Sequence, residues 1–252
     1  MKFTGKTVLV TGGSRGIGKA TSLAFAHEGA TLIINYHTNR VSAEALLQQL
    51  PYGPHHLVQA DIAVPGEAEM LIHEAVRLTG HLDVLVNNAA IHEIHPINQV
   101  DYENWQRIWH ETLATNLFGP ANTMFHAAKV MMAQGYGRIV NVSSRGAFRG
   151  EPDQPAYGAS KAGLNALSQS LAQKLAPWGI YVAVVAPCFT ETDMTKDILN
   201  GPRGPEIRKQ SPIGRVAHAD EVAKAVVFLA EPGTEYMTGA ILDVNGASYL
   251  RS

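Results

Sequence analysis

A tyrosine and a lysine one helical turn apart are the residues of this sequence whose types and spacing most directly suggest chemistry. They are Tyr157 and Lys161, in the stretch QPAYGASKAG at 154–163. At positions i and i+4 of a helix the two side chains share one face. A lysine cation beside a phenol is expected to lower the pKa of Tyr157 toward the range of an acid–base catalyst. Taken alone, such a pair is more often a solvated surface pair, so the interpretation depends on what surrounds it.

A glycine-rich turn, TGGSRGIG at 11–18, follows the first apolar run of the chain. Gly12, Gly16 and Gly18 have the spacing G-x-x-x-G-x-G. Glycine permits a tight turn and lets the backbone approach a pyrophosphate, and the N-terminus of the following helix offers free N–H groups to the anion. The alternative is that these glycines only form a strand-to-helix turn.

The elements that must position these groups alternate regularly along the chain. Seven strands are predicted at 6–11, 31–36, 55–61, 82–89, 137–144, 180–187 and 240–246. Helices are predicted between them at 16–28, 41–50, 66–79, 101–134, 156–176 and 219–231. The strands lack polar alternation, as expected where helices cover both faces of a parallel sheet. The pattern predicts a single α/β domain over residues 1–252, a seven-stranded parallel sheet with helices on both faces.

One segment fits neither element type. Residues 195–214 contain three prolines and three glycines after the sixth strand. A loop of this length at the carboxyl edge of a parallel sheet often covers a ligand. We therefore predict that residues 195–214 cover the substrate.

The composition excludes several functional classes. A formal net charge of −2 gives no global field that would recruit nucleic acid or an anionic membrane. The single cysteine, Cys188, excludes an intramolecular disulfide and suits a reducing compartment. No apolar run reaches membrane-spanning length without a charged or turn residue. A cytoplasmic protein with neither a nucleic-acid nor a membrane partner is expected.

Several motifs together resemble the short-chain dehydrogenase/reductase family. They are the turn TGGSRGIG, the NNAA at 87–90, a serine thirteen residues before the Tyr-x-x-x-Lys, and APCFTETDM at 186–194. The resemblance covers nearly the whole chain and implies a Rossmann fold that binds a nicotinamide dinucleotide. It also implies hydride transfer between this cofactor and a carbonyl or secondary alcohol, with Tyr157 as the acid or base.

The resemblance assigns roles residue by residue. It implies a catalytic set of Ser144, Tyr157, Lys161 and Asn116, with Ser143 as a competing serine and Asn116 holding a water beside the lysine. The cofactor contacts that it implies are Gly12, Ser14, Arg15, Gly16, Ile17, Gly18, Tyr36, Asp61, Ile62, Asn88, Ala89, Ala90, Tyr157, Lys161, Pro187, Thr190 and Thr192.

The predicted cofactor is NADP rather than NAD. By the family pattern Tyr36 stands where relatives that use NAD carry an aspartate, and no acidic residue occurs between Glu28 and Glu44. Arg15 lies inside the glycine turn, and an arginine can donate two hydrogen bonds to a phosphate. Asp61 resembles the residue that holds the adenine amino group, and a helix N-terminal cap is the alternative.

Two positions depart from the family pattern. Ala90 replaces a glycine, which matters only if that site needs a positive φ. Cys188 replaces the glycine of a Pro-Gly pair, where it either packs or influences the choice of substrate. His92, Glu93 and His95 resemble metal ligands by type, but the family needs no metal, and no metal site is predicted.

The C-terminal half is most similar to 3-oxoacyl-(acyl carrier protein) reductases of fatty acid biosynthesis, which implies an acyl thioester substrate and acyl carrier protein as a partner. Such enzymes dock the acidic carrier with basic residues. Lys129 is available here, but Gln173 stands where many relatives have a cation. A dehydrogenase of a small sugar, polyol or other ketone is the alternative, and a non-catalytic dinucleotide sensor is a more remote one. The apolar C-terminus predicts a homotetramer.

Overall fold

Seven parallel strands form the sheet at the centre of the computed structural model, which describes residues 1–51 and 53–251. They run in the spatial order β3-β2-β1-β4-β5-β6-β9. Their bounds are β1 Thr7–Val10, β2 Thr31–Tyr36, β3 His56–Gln59, β4 Val84–Asn87, β5 Gly137–Val142, β6 Ile180–Pro187 and β9 Ile241–Val244. All seven predicted strands are therefore present, each shortened or unchanged at its ends.

Helices cover both faces of this sheet. The long ones are α1 Gly16–His27, α2 Arg40–Leu47, α3 Pro65–Thr79, α4 Tyr102–Leu113, α5 Gly119–Gln134, α7 Pro155–Leu175 and α10 Ala219–Ala230. The short ones are α6 Gly146–Arg149, α8 Lys196–Asn200 and α9 Gly204–Lys209. Pro65 and Pro155 each occupy the first helical turn, where their missing N–H is not needed. None of the helices among the described residues is long and apolar enough to cross a membrane.

Each strand contributes side chains to two separate hydrophobic cores, because alternate side chains point to opposite faces of the sheet. Val8 and Val10 of β1 pack with Phe25 of α1 and Val226 of α10 on one face. Leu9 packs on the other face, in the core that also contains residues of α3, α5 and α7. Burial on both faces explains why these strands read as continuous apolar runs.

The helix predicted over 101–134 is interrupted. It divides into α4 and α5, with a π-helical segment at Ala114–Phe118 between them. Pro120 has no N–H and cannot donate the hydrogen bond that an α-helix would direct to the carbonyl of Asn116. Single π-helical turns of this kind occur frequently at functional sites.

The segment at 195–214 is partly helical rather than a plain loop. Helices α8 and α9 lie within it, and Leu199 and Ile207 form a small core of their own with Val216. Two-residue strands, β7 Thr190–Glu191 and β8 Ala217–His218, pair in parallel at its two ends. The segment is therefore anchored at both ends and has its own buried residues.

Candidate active site

The strand order reverses between β1 and β4, which lie side by side although β2 and β3 lie on the other side of β1. In doubly wound sheets the crevice at the carboxyl ends of the strands at such a point is where ligands bind. The glycine turn follows β1, the NNAA stretch follows β4, and Ser144 follows β5. The predicted site residues therefore converge on one edge of the sheet.

Two asparagines hold the glycine turn from neighbouring strands. Asn88 Nδ2 donates to the carbonyl oxygens of Thr11 (3.0 Å) and Gly12 (3.1 Å). Asn35 Oδ1 accepts from the N–H of Gly12 at 3.2 Å, and the backbone carbonyl of Asn35 accepts from Gly13. The hydroxyl of Thr11 accepts in turn from the N–H groups of Asn88 and Ala89. These bonds fix the path of the turn before any ligand arrives.

The glycines are required by close approach and by backbone conformation. Gly12 and Gly16 have φ of 58° and 51°, the left-handed region that favours glycine. A Cβ on Gly18 would overlap the Gly12 carbonyl and lie 2.6 Å from Asn88 Nδ2. A Cβ on Gly16 would lie 3.1 Å from the methyl group of Thr192, so Thr192 stands directly across from the start of α1. A cleft of about 490 Å³ extends from Gly16 and Thr192 toward α8 and α9.

The N-terminus of α1 suits an anion. No described side chain caps it, and no acidic residue lies in its first turn. Ser14 is buried within the turn, while Arg15 at the N-cap position is exposed and forms no ion pair with any residue that the structure describes. Ile17 lies in the first turn of α1 and is partly buried. Uncapped N–H groups and an unpaired guanidinium are the features expected of a phosphate-binding turn.

Ser144 lies beside Tyr157. Burial raises the pKa of the Tyr157 phenol, and the neighbouring Ser144 hydroxyl, which favours the phenolate, opposes this to a smaller extent. The Ser144 hydroxyl also accepts from the N–H of Gly146 at 3.0 Å, which fixes its position. Ser143 is turned away, because its hydroxyl donates to the backbone carbonyl of Lys161. The geometry therefore brings Ser144, rather than Ser143, to the tyrosine.

Lys161 lies beneath Tyr157 and is only 2% exposed. Its Nζ donates to the carbonyl of Val142 at 2.8 Å and lies 5.8 Å from the centroid of the Tyr157 ring. Burial lowers the pKa of this ammonium to about 8. The expectation that Lys161 lowers the pKa of Tyr157 is wrong in this structure, because burial raises that pKa and the opposing influence comes from Ser144.

Asn116 is fully buried in the π-helical segment. Its Oδ1 accepts from the N–H of Ile91 at 2.9 Å, and its Nδ2 donates to the carbonyl of Ile91 at 2.8 Å and to the hydroxyl of Ser160 at 3.2 Å. The side chain thus joins the end of β4 to α7, the helix of Tyr157. It has a positioning role in the structure, and the water beside Lys161 stays a prediction.

The residues predicted near the adenosine lie at the ends of β2 and β3. Tyr36 ends β2 and is buried. Asp61 accepts from the N–H of Ala63 at 3.0 Å, while the N-cap of α3 is Val64, so the alternative of Asp61 as a helix cap is wrong. Ile62 is buried beside the start of α5. Arg40 pairs with Glu44 at 2.7 Å on the surface of α2.

The residues at the end of β6 line the side of the crevice opposite the residues near the adenosine. The carbonyl of Pro187 accepts from the N–H of Arg145, and Thr190 is buried at the start of β7. Burial raises the pKa of the Cys188 thiol, which donates to the carbonyl of Phe189. A thiol in that state is packed rather than reactive. Neither Ala90 nor Cys188 has a positive φ, since Ala247 is the one such non-glycine among the described residues.

The three residues that resemble metal ligands have separate partners. Glu93 pairs with Arg107 at 2.7 Å. His95 is buried, with Nδ1 2.7 Å from the carbonyl of Glu93 and Nε2 accepting from the N–H of Ala156. His92 lies against Tyr157, with ring centroids 6.3 Å apart, and burial lowers its pKa. The one grouping of potential ligands among the described residues lies elsewhere, at Glu69, His73 and His126 on α3 and α5.

Residues 12–247 match a family model described as enoyl-(acyl carrier protein) reductase. The chain belongs to the short-chain dehydrogenase/reductase family. It is similar to the 3-oxoacyl-[acyl-carrier-protein] reductase FabG of Staphylococcus aureus (37% identical over 99% of this chain and 100% of the relative). It has the same identity and coverage with the FabG of Escherichia coli.

A solved dehydrogenase/reductase structure has the same fold. A dehydrogenase/reductase from Sinorhizobium meliloti superimposes with a TM-score of 0.90 at 31% identity, over 99% of this chain and 97% of that one. The predicted family and the predicted seven-stranded α/β fold are thereby confirmed. An oxidoreductase activity follows from membership of this family, because its relatives are named for one.

Sequence reasoning missed the residues that hold the site together. Asn35, Thr11 and the backbone of Ile91 were not identified, although each bonds to a predicted site residue. The available signal was a polar residue within an otherwise apolar strand, as at Asn35 in TLIINY. Buried polar side chains of this kind normally have a specific partner.

Proposed function

We propose that this protein is an NADP(H)-dependent oxidoreductase that interconverts a carbonyl and a secondary alcohol by hydride transfer, with Tyr157 as the acid or base. The observation that carries the proposal is Tyr157 with Ser144 beside it and the buried Lys161 one helical turn away, in the crevice that holds the glycine turn. Family membership supports the reaction class. The FabG relatives are named for the reduction of an oxoacyl group.

The residues present fit a dinucleotide. The uncapped start of α1 would bind the pyrophosphate, with Thr192 across from it. Arg15 is exposed and unpaired among the described residues, and Tyr36 offers no carboxylate to repel a 2′-phosphate. These features favour NADP over NAD. The bound nicotinamide would supply or accept the hydride.

The chain's own residues would handle the proton. Ser144 would hold the substrate oxygen beside the phenol, and Tyr157 would donate its proton to that oxygen as reduction proceeds. A raised pKa keeps Tyr157 protonated at neutral pH, which is the state that a proton donor needs. Lys161, with a pKa of about 8, is poised to replenish this proton. Through its hydrogen bonds Asn116 would hold α7 and the end of β4 in fixed positions relative to each other.

The names of the relatives suggest a 3-oxoacyl thioester as substrate and acyl carrier protein as partner, within fatty acid biosynthesis. A small polar ketone, sugar or polyol is the second candidate, and two observations favour it. Gln173 is exposed and uncharged where a carrier would need a cation. His92 also places a polar side chain against the ring of Tyr157, with ring centroids 6.3 Å apart. A cytoplasmic location and coverage of the substrate by 195–214 belong to the same proposal.

A substrate panel assayed with NADPH and NADH in parallel tests the proposal. It includes an acetoacetyl thioester, small ketones and diketones, and is run on the wild type and on Arg15→Leu. We expect turnover with NADPH, and a loss of at least tenfold in the preference for NADPH over NADH in Arg15→Leu, because one phosphate partner is removed. Tight NADPH binding without turnover of any substrate would instead support the sensor alternative.

A further inference from the structure

Two of the arginines that the structure describes are almost completely buried, and only one of them has a carboxylate partner. Arg138 is 1% exposed and has a carboxylate partner: it pairs with Glu235, bonds to Thr234, and stacks against Tyr181 with its guanidinium carbon 4.8 Å from the ring centroid, although its Nε has no partner among the described residues. Arg145 is 3% exposed and has no carboxylate within ion-pair distance among the residues that the structure describes.

The contacts of Arg145 leave most of its hydrogen-bonding capacity unused. Nη2 donates to Oε1 of Gln210 at 2.8 Å, and the guanidinium lies 5.8 Å from the centroid of the Phe189 ring. Of the five N–H donors of a guanidinium, one therefore has an acceptor within the described part of the chain. Burial lowers the pKa of this guanidinium, in line with its unfavourable surroundings. Buried charges in proteins are normally paired, since desolvating an isolated one is expensive.

Arg145 lies at the substrate end of the site. It directly follows Ser144, and its backbone N–H bonds to Pro187 at the end of β6. Gln210 lies just after α9, within the segment that we propose covers the substrate. The guanidinium thus lies between Phe189, which follows β6, and Gln210 of this segment.

The neighbouring charges do not neutralise Arg145. Glu151 is the acidic residue beside Gly146, and its carboxylate is 3.4 Å from Nε of Arg149. Glu151, Arg149 and Arg145 together contribute one carboxylate and two guanidinium groups, which leaves one net positive charge. Arg145, the buried arginine, is the one without a carboxylate partner. The planar guanidinium of an arginine can donate two parallel hydrogen bonds to the two oxygens of a carboxylate.

We infer that Arg145 binds a carboxylate of the substrate, so that the carbonyl compound reduced at Tyr157 is a small oxo acid and the product a hydroxy acid. The inference rests on the proposed function and narrows its substrate class. It predicts that a free carboxylate is preferred to the corresponding ester or thioester, in which the negative charge is absent.

Pairs of acids and methyl esters test the inference. The substrates are 2-oxobutanoate, acetoacetate and 4-oxopentanoate, each assayed with NADPH beside its methyl ester, and the neutral N-acetylcysteamine thioester of acetoacetate. For at least one pair we expect the wild type to have a kcat/KM at least tenfold higher for the acid. Arg145→Met should reduce kcat/KM for that acid by about 100-fold and change the ester less than threefold. Arg77→Gln, which removes an exposed arginine of α3, is the matched control and should leave both unchanged.

Two outcomes would overturn the inference. One is a wild type that reduces every acid no better than its ester. The other is an Arg145→Met variant that loses acid and ester activity equally, which would indicate that Arg145 only supports Ser144. Replacing a buried cation by methionine is expected to preserve folding, and circular dichroism checks this.

A failure of the proposed function would give a different result from a failure of the inference about Arg145. In that case no substrate is reduced although NADPH binds, and calorimetric titration with each acid and with 3-hydroxybutanoate still tests Arg145. Binding of at least one of these anions by the wild type that is at least tenfold weaker in Arg145→Met supports the inference. Equal binding by the two proteins, or no binding of any anion, contradicts it.

Discussion

Burial affects the two titratable groups of the candidate site in opposite directions. It raises the pKa of the Tyr157 phenol and lowers that of the Lys161 ammonium to about 8, because each change favours the neutral form. The ordinary pKa values are 10.0 for the phenol and 10.5 for the ammonium, so the two values move apart and Lys161 becomes the stronger acid of the two. The Lys161 ammonium can therefore return a proton to the phenolate that remains after Tyr157 has donated its own.

The buried lysine makes stability depend on pH. The folded-state pKa of about 8 is below the ordinary value of 10.5, so the unfolded chain binds more protons between these pH values. Stability therefore rises with pH across this window, and below pH 8 the charged lysine is unfavourable by about 3 kcal/mol. We expect Lys161→Met to lack this dependence, so that its advantage over the wild type in free energy of unfolding shrinks by about 2–3 kcal/mol between pH 7.5 and 10.5.

Denaturant unfolding at fixed protein concentration measures this difference. Lys174→Met, at an exposed position of the same helix, is the control and should track the wild type across the pH range. Parallel pH profiles for the wild type and Lys161→Met would show that the lysine has the same pKa in the folded and unfolded chains.

At the scale of elements, the order of strands and helices could be predicted from sequence and the interruptions could not. The seven strands are apolar runs bounded by glycine, proline or polar residues, so their existence is a local property. Pro120 removes one hydrogen bond at the π-helical break, but the side chain of Asn116 is held there by the backbone of Ile91, 25 residues away, which no local pattern reveals. Helices α8 and α9 were missed for a similar reason, because a small core around Leu199 and Ile207 outweighs the prolines and glycines near them.

The candidate site divides in the same way. Types and spacing predicted the turn, Ser144, Tyr157 and Lys161, because family motifs specify them as short strings. The direction of the pKa change at Tyr157 was predicted wrongly, since desolvation depends on the tertiary packing around the phenol. The isolated charge of Arg145 was not predicted at all, because the absence of a partner is visible only in three dimensions.

The junction of β1 and α1 gives a prediction at this scale. Gly18→Ala would force a methyl group against the carbonyl of Gly12 and the amide of Asn88, so the turn must shift. We expect NADPH affinity to fall at least tenfold and the protein to lose about 1–3 kcal/mol of stability, as overpacking typically does. Gly66→Ala in the first turn of α3 meets nothing within 4 Å and is the control. It should bind NADPH normally, with equal or slightly higher stability.

Fluorescence titration with NADPH and thermal unfolding measure the two effects. A Gly18→Ala protein that binds NADPH as tightly as Gly66→Ala would contradict the assignment of this turn to the pyrophosphate.

The whole molecule carries large apolar side chains on a surface near its C-terminus. Tyr236 is fully exposed, and Leu250 (78%), Met237 and Leu242 are exposed beside the β9 edge of the sheet. Large apolar side chains that are exposed in the single chain are often buried where chains associate. This surface supports the predicted homotetramer, which remains a proposal.

Light scattering of the purified protein tests the assembly. We expect a mass near four times the 27.1 kDa of one chain. The double substitution Tyr236→Glu and Leu250→Glu should lower the mass, because charge is introduced into an apolar contact. Val41→Glu, at an exposed apolar residue of α2, should not. A monomeric wild type would contradict the proposed homotetramer. An unchanged mass in the double variant would show that the interface lies elsewhere.

The central claim is that Tyr157 provides the proton in an NADPH-dependent carbonyl reduction. Tyr157→Phe removes one hydroxyl and leaves the ring and its packing in place, so parallel measurement of NADPH binding and NADPH oxidation isolates that role. The account predicts an NADPH dissociation constant within about threefold of the wild type and a turnover reduced by about 10²–10⁴-fold with every substrate that the wild type accepts. A variant that keeps more than a tenth of the wild-type turnover would contradict it.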